Sequence, residues 1–251
     1  MGPGEDGVVF RRADTGASVL ASWRNVAATR LATVIGEGPS SVRTVEHLMA
    51  ALSALGVFSA TVEIDGAEVP IMDGSAAPFF DALRDAVEPA GEGPGAIRVL
   101  RPVSAEGRDA FATLIPFEGR RFDVGIDFPD AAIGIQRVTL DLTADTFGTD
   151  VAPARTFGRL ADVGKLRRRG YARGASLDNA VAVDGARVVN PEGLRFPDEF
   201  VRHKLLDAVG DLALAERPIL GLYRSHKAGH RLNYALLAAL FSDGRNFQFV
   251  T

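Results

Sequence analysis

Residues 88–95 read EPAGEGPG, and this stretch limits the fold more than any other, because three glycines and two prolines in eight positions neither continue a helix nor hold a strand centre. A domain boundary is expected there, with a first unit over 1–90, a linker at 91–95 and a second unit over 96–251. Gly91, Gly93 and Gly95 do not make a dinucleotide fingerprint, since the third spacing is wrong and Pro94 interrupts the helix start that would face a pyrophosphate. With 251 residues, 47% of them hydrophobic, the chain has enough apolar material for one large or two small cores.

On the first side of the linker, Val45, Leu48, Met49, Leu52 and Leu55 recur at helical spacing, with Thr44 as N-cap and Gly56 as stop. Phe58 to Ile64 alternates as a strand does, Asp65-Gly66 signals a hairpin turn, and Val69 to Ile71 is the expected return strand. Ser75 is expected to cap a second helix running to Val87. On the second side, strand-like runs at 97–103, 110–116, 122–128 and 136–142 suggest an antiparallel sheet. Helices are expected near 159–169, 198–214 and 232–241, with a strand pair near 180–189 and a buried strand at 219–223. Strands followed by helices, rather than strict alternation, indicate an α+β class with helices on one face of each sheet.

The formal net charge is -4, from 32 acidic and 28 basic residues, so neither nucleic acid nor an anionic membrane is an expected partner. No apolar run reaches the length that spans a bilayer, and the first residues lack a signal-peptide core, so a cytoplasmic location is expected. Absence of cysteine excludes thiolate ligands, which leaves histidine and carboxylate to hold any metal.

Only four histidines occur, at 47, 203, 226 and 230. The helix over 198–214 carries His203, Asp207 and Asp211 at i, i+4 and i+8 on one face, opposite Val201, Leu205, Val209 and Leu212. Spacing alone leaves two readings of that face, a solvated surface or a shared task. Glu46-His47 lies in the first turn of its helix, off the apolar stripe. A catalytic zinc takes three protein ligands and leaves a fourth position open, which two histidines and one aspartate satisfy. A neighbouring carboxylate then takes a proton from water and another histidine gives one to the leaving group, and Glu46 and His230 are available for those roles. Beside Gly229, His230 is otherwise a loop residue that caps the helix after it.

Six segments in order carry a resemblance that spans almost the whole chain: TVEHLMAALSALG at 44–56, EVPIMDGSAAPF at 68–79, ARTFGRLADV at 154–163, GASLDNAVAVD at 174–184, LRFPDEFVRHKLLDAVGDLAL at 194–214 and AGHRLNYALL at 228–237. They resemble the UDP-3-O-acyl-N-acetylglucosamine deacetylase family, zinc enzymes of the committed step of lipid A synthesis in Gram-negative bacteria. The resemblance implies His47, His203 and Asp207 as ligands of one zinc per chain, Glu46 as general base, His230 as general acid and Asp211 as the carboxylate that orients it. It further implies Lys204 beside the substrate carbonyl and Thr156 as a hydroxyl at the oxyanion. Phe157 and Asp162 are implied near the sugar and nucleotide, Phe128 as a stacking partner of uracil and Lys227 at the pyrophosphate, while His226 has no counterpart.

The implied fold has two α+β domains of similar topology, each a mostly antiparallel sheet, with the helices sandwiched between the sheets. The first would supply Glu46 and His47, the second His203, Asp207, His230 and an insert near 176–189 that forms an acyl-chain passage. A monomer acting on an acylated UDP-sugar is the expected form. Against the family pattern the chain is expected to lack about thirty opening residues, a strand pair and a Leu-His loop, which would leave an already small first domain of about 90 residues further reduced. Phe58-Ser59 and Ala175 also depart from the pattern, where Asp-Asn and Gly are usual. The alternative function is a non-catalytic or altered-specificity paralogue that keeps the zinc site.

Overall fold

In the computed structural model, residues 7–87 and 95–251 are described, so all of the expected linker at 91–95 but Gly95 lies outside the described residues. Before it, strand β1 (Val8–Arg12) alternates buried and partly exposed side chains and turns Val8 and Phe10 into the core. It pairs antiparallel with β2 (Ser18–Leu20). Three short strands, β3 (Val26–Ala28), β4 (Val34–Ile35) and β5 (Val42–Arg43), form a separate antiparallel ribbon that leads into helix α1 (Glu46–Ala54). Strand β6 (Ala60–Ile64) and helix α2 (Ala77–Arg84) complete this half.

Two local expectations are corrected here. Thr44 is not the N-cap of α1: it adopts a left-handed backbone (φ 57) and donates its hydroxyl to Glu68 at 2.7 Å, while Val45 holds the cap position with no side-chain bond. The hairpin expected over 58–71 does not form, because β6 pairs in parallel with β1 and Glu68 makes only an isolated parallel bridge to Arg43. Pro70 has no N–H to give a ladder, so the returning run could not continue as a paired strand.

From residue 95 on come β7 (Ala96–Val99), β8 (Val103–Glu106), β9 (Phe111–Ile115), β10 (Arg120–Asp127) and β11 (Ile135–Asp141), then helix α3 (Ala144–Asp150). A small sheet of β12 (Phe157–Arg159), β13 (Val181–Asp184) and β14 (Arg187–Val188) encloses helix α4 (Leu160–Arg168) in sequence. Helix α5 (Glu199–Ala213), strand β15 (Ile219–His226), helix α6 (His230–Phe241) and strand β16 (Phe247–Val250) follow. The main sheet has seven strands in the order β11-β10-β15-β7-β16, with β9 pairing β15 and β8 pairing β9. Most pairs are antiparallel, but β15 runs parallel to both β10 and β7, so the sheet is mixed.

The result is an α+β fold in which α5 packs on β10 and β11, α6 on β8 and β9, and α1 on α5. Every residue of α1 is buried, as expected of a helix enclosed on all sides rather than lying on a surface. On α5, Phe200, Val201, Leu205, Leu206 and Val209 are fully buried, each worth about 1.5–3 kcal/mol relative to exposure.

Candidate metal centre

The contact between α1 and α5 depends on Gly210. A Cβ at that position would lie 2.0 Å from the carbonyl oxygen of Glu46, so only glycine lets α5 ride directly on the first turn of α1. That approach carries Glu46 and His47 onto the face of α5 that bears His203, Asp207 and Asp211. The face is not solvated: His203 is 2% exposed and Asp207 and Asp211 are each 3% exposed, which removes the bland reading of the helix spacing.

One ligand atom each from His47, His203 and Asp207 lies within 4.8 Å of the other two, the one such cluster among the described residues. Asp207 Oδ1 faces both rings, 3.4 Å from His203 Nε2 and 3.8 Å from His47 Nε2, and the rings stand edge to face. His203 Nδ1 donates to the carbonyl of Ala154 at 3.0 Å, which fixes the tautomer and leaves the Nε2 lone pair aimed into the cluster. Burial, reinforced by the nearby His203, drives the His47 imidazole down to about 3, and burial likewise lowers His203 despite the charge of Asp207. Burial works against ionised Asp207, but Lys204, whose Nζ donates to Oδ2 at 2.7 Å, and the histidines outweigh it and hold the group well below the usual carboxylate range. Two neutral imidazoles and one carboxylate are a donor set that fits a divalent cation such as zinc.

Beside the cluster lies a second assembly. Glu46 accepts a hydrogen bond from the backbone N–H of Thr33 at 3.0 Å, and its other oxygen is 3.8 Å from His230 Nε2. Burial raises the Glu46 carboxyl to about 7, against the pull of the His230 charge. His230 is not a loop residue but the first residue of α6, with Gly229 at the N-cap. Its Nδ1 donates to Asp211 Oδ2 at 2.8 Å. Burial alone would lower this imidazole, yet the charge and hydrogen bond of Asp211, with Asp207 and Glu46, raise it to about 10.

Three groups supporting the ligand cluster or this assembly escaped the sequence reading. Asn233 donates to Asp211 Oδ2 at 2.7 Å and accepts from the Tyr223 hydroxyl at 2.6 Å; its i+3 spacing from His230 was the available signal. Thr33 donates its hydroxyl to Asp211 Oδ1 at 2.6 Å, and nothing in the pattern around it marks it. Ala154 acts through its carbonyl, which no sequence pattern shows.

The remaining expected residues divide. Lys204 and Phe157 adjoin the cluster, with the Phe157 ring 6.2 Å from that of His203 and Lys204 Nζ 5.8 Å from the Phe157 centroid. Phe128 packs edge-on to Phe157 at 5.5 Å. Thr156 precedes Phe157 and donates its N–H to Gly74. Asp162, in the first turn of α4, faces Arg159 at 3.4 Å, and Lys227, before α6, is paired to Asp109 at 2.7 Å and Asp127 at 3.5 Å; no described contact joins either to the cluster. His226 packs against Phe111. Within 176–189, Val181 and Val183 are buried and Leu177 is exposed. Among the described residues, no helix is long and apolar enough to cross a membrane.

Fold and site thus define an α+β protein with a buried His–His–Asp cluster that could hold a metal ion, set against a carboxylate–histidine pair. The family model of the UDP-3-O-acyl N-acetylglycosamine deacetylases matches residues 2–242, and the chain belongs to that family. It is similar to the UDP-3-O-acyl-N-acetylglucosamine deacetylase of Acidithiobacillus ferrooxidans, 47% identical over 253 residues that cover 99% of this chain and 83% of the relative. The proteins of the same name from Brucella ovis and Campylobacter fetus are 44% and 42% identical, over 98% of this chain and 87% and 84% of theirs.

Proposed function

We propose that this chain is a zinc-dependent N-deacetylase that hydrolyses the N-acetyl group of UDP-3-O-(3-hydroxyacyl)-N-acetylglucosamine and releases acetate, the committed step of lipid A synthesis. The observation that carries this reading is the Glu46–His230 pair, poised at 3.8 Å on the edge of the ligand cluster with both proton affinities raised, Glu46 to about 7 and His230 to about 10. One ion per chain, held by His47, His203 and Asp207, would supply Lewis-acid polarisation of the amide carbonyl and acidify a water molecule.

The proton work falls to the side chains. Between about pH 7 and pH 10, Glu46 is a carboxylate and His230 an imidazolium, which is the starting state an acid–base pair needs. Glu46 takes the proton of the attacking water as the new C–O bond forms. His230 gives its Nε2 proton to the amide nitrogen as the C–N bond breaks, yielding the free amine and acetic acid, which loses its remaining proton to solvent as acetate. A single proton transfer from Glu46 to His230 then restores both. Asp211 holds the imidazolium through Nδ1, while Thr156 and Lys204 are assigned to the developing oxyanion. Phe157, Phe128, Asp162 and Lys227 are assigned to the sugar nucleotide, and the 176–189 segment to the acyl chain.

We also place the domain boundary at 91–95, so that docking of residues 1–90 on 96–251 assembles the site. A UDP-linked substrate goes with a cytoplasmic location, and a site built within one chain goes with a monomer. The test is acetate release from the acylated UDP-sugar by the zinc-loaded protein, with Glu46→Gln alongside. Turnover in the wild type that collapses in the variant supports the reading, and equal rates in the two overturn it.

A further inference from the structure

We infer that Thr33 is a positioning residue that ties the proton acceptor to the carboxylate behind the proton donor, an assignment that rests on the deacetylase reading above. Thr33 is 2% exposed. Its backbone N–H donates to Glu46 Oε2 at 3.0 Å and its hydroxyl donates to Asp211 Oδ1 at 2.6 Å. No other described residue is hydrogen-bonded to both groups. Asp211 Oδ2 accepts from His230 Nδ1 and Asn233 Nδ2, so the Thr33 hydroxyl is the bond that fixes the opposite oxygen and stops the carboxylate from turning.

The local chain is built to hold Thr33 there. Leu31 takes a left-handed backbone (φ 67) two residues earlier, and Val34 enters β4, which pairs with β5 just before α1 begins. The Thr33 carbonyl lies 3.5 Å from the N–H of Val45, beside the first turn of that helix. One residue of the ribbon therefore sets Glu46, on α1, and Asp211, on α5, in fixed relation. Because the hydroxyl acts on the orientation of His230 and touches no described ligand of the cluster, its loss is felt in the proton-transfer step rather than in metal or substrate binding.

The experiment uses the zinc-loaded chain as wild type, Thr33→Val and Thr33→Ser, with acetate release from the acylated UDP-sugar, zinc content and the NMR resonance of His230 Nδ1–H as readouts. Thr33→Val keeps the shape and the backbone N–H but removes the hydroxyl, so kcat falls by about ten- to hundredfold, the scale of a lost hydrogen bond to a charged group. KM stays within about twofold and Thr33→Ser recovers kcat to within about threefold. Zinc content is unchanged, and the His230 resonance shifts or broadens in Thr33→Val alone. If Thr33→Val does not fold, Thr33→Cys, which retains only a weak S–H donor, is expected to give an intermediate loss with the same KM. Wild-type kcat in the valine or cysteine form, or equal losses in all variants, overturns the assignment. Should the wild type release no acetate, the functional reading fails separately, and the resonance decides for Thr33: a shift upholds its hold on Asp211, and an unchanged line removes it.

Discussion

His47 and His203 on one side, and His230 on the other, are all buried around the same group of carboxylates, yet they are driven in opposite directions. Burial lowers all three; what differs is the company. His230 gives Nδ1 to a carboxylate whose oxygens are both held by other donors, so its charge is matched directly. His47 and His203 share one aspartate whose outer oxygen is occupied by Lys204, and His47 is lowered further by His203. Depth of burial therefore does not decide what a histidine does here, and the hydrogen-bonded partner does. The neutral rings are suited to bind a metal ion and the cationic ring to donate a proton.

The largest effect that sharpens this contrast is expected from the ligand side. His203→Ala removes one of three donors, and both tight zinc and activity should be lost, with the rate down by roughly a thousandfold or more, read by metal analysis and acetate release. Next, Glu46→Gln should keep zinc while lowering kcat by about a hundred- to ten-thousandfold. The pH profile assigns the limbs. Activity needs Glu46 ionised, so it falls as pH drops through about 7, and it needs His230 protonated, so it falls as pH rises through about 10. A profile of the glutamine form that still shows the acid limb breaks the assignment of that limb to Glu46.

Gly210→Ala is expected to lower stability by about 1–3 kcal/mol, seen in thermal melts, because the added methyl must displace the Glu46 backbone. The smallest effect is expected from Asn233→Ala, about tenfold in kcat with zinc retained, since Asp211 keeps its bonds to His230 and Thr33.

The candidate ligands and proton-transfer residues stood out in the sequence because their types are scarce and α5 spaces three of them at one helical face, and the structure brings them together. The sequence could not say whether that face met water. A polar stripe looks the same against solvent as against a second helix, and here the second helix is α1, admitted by Gly210. Long elements such as α5 and the strands of the main sheet were visible through periodicity. The ribbon of β3, β4 and β5 was not, because strands of two or three residues show no period, and Thr33 was hidden with it. The parallel pairing of β6 with β1 was masked by the Asp65-Gly66 turn signal, which favours a local hairpin over a distant partner.

The most direct test is the protonation of the histidine rings in the zinc-loaded chain, read by nitrogen-15 NMR between about pH 7 and pH 10, the interval bounded by Glu46 and His230. His47 and His203 should each show a neutral ring with one nitrogen protonated and the other engaged by the metal, while His230 shows both nitrogens protonated. A neutral His230, or a cationic His47 or His203, would contradict the division of labour drawn from the structure.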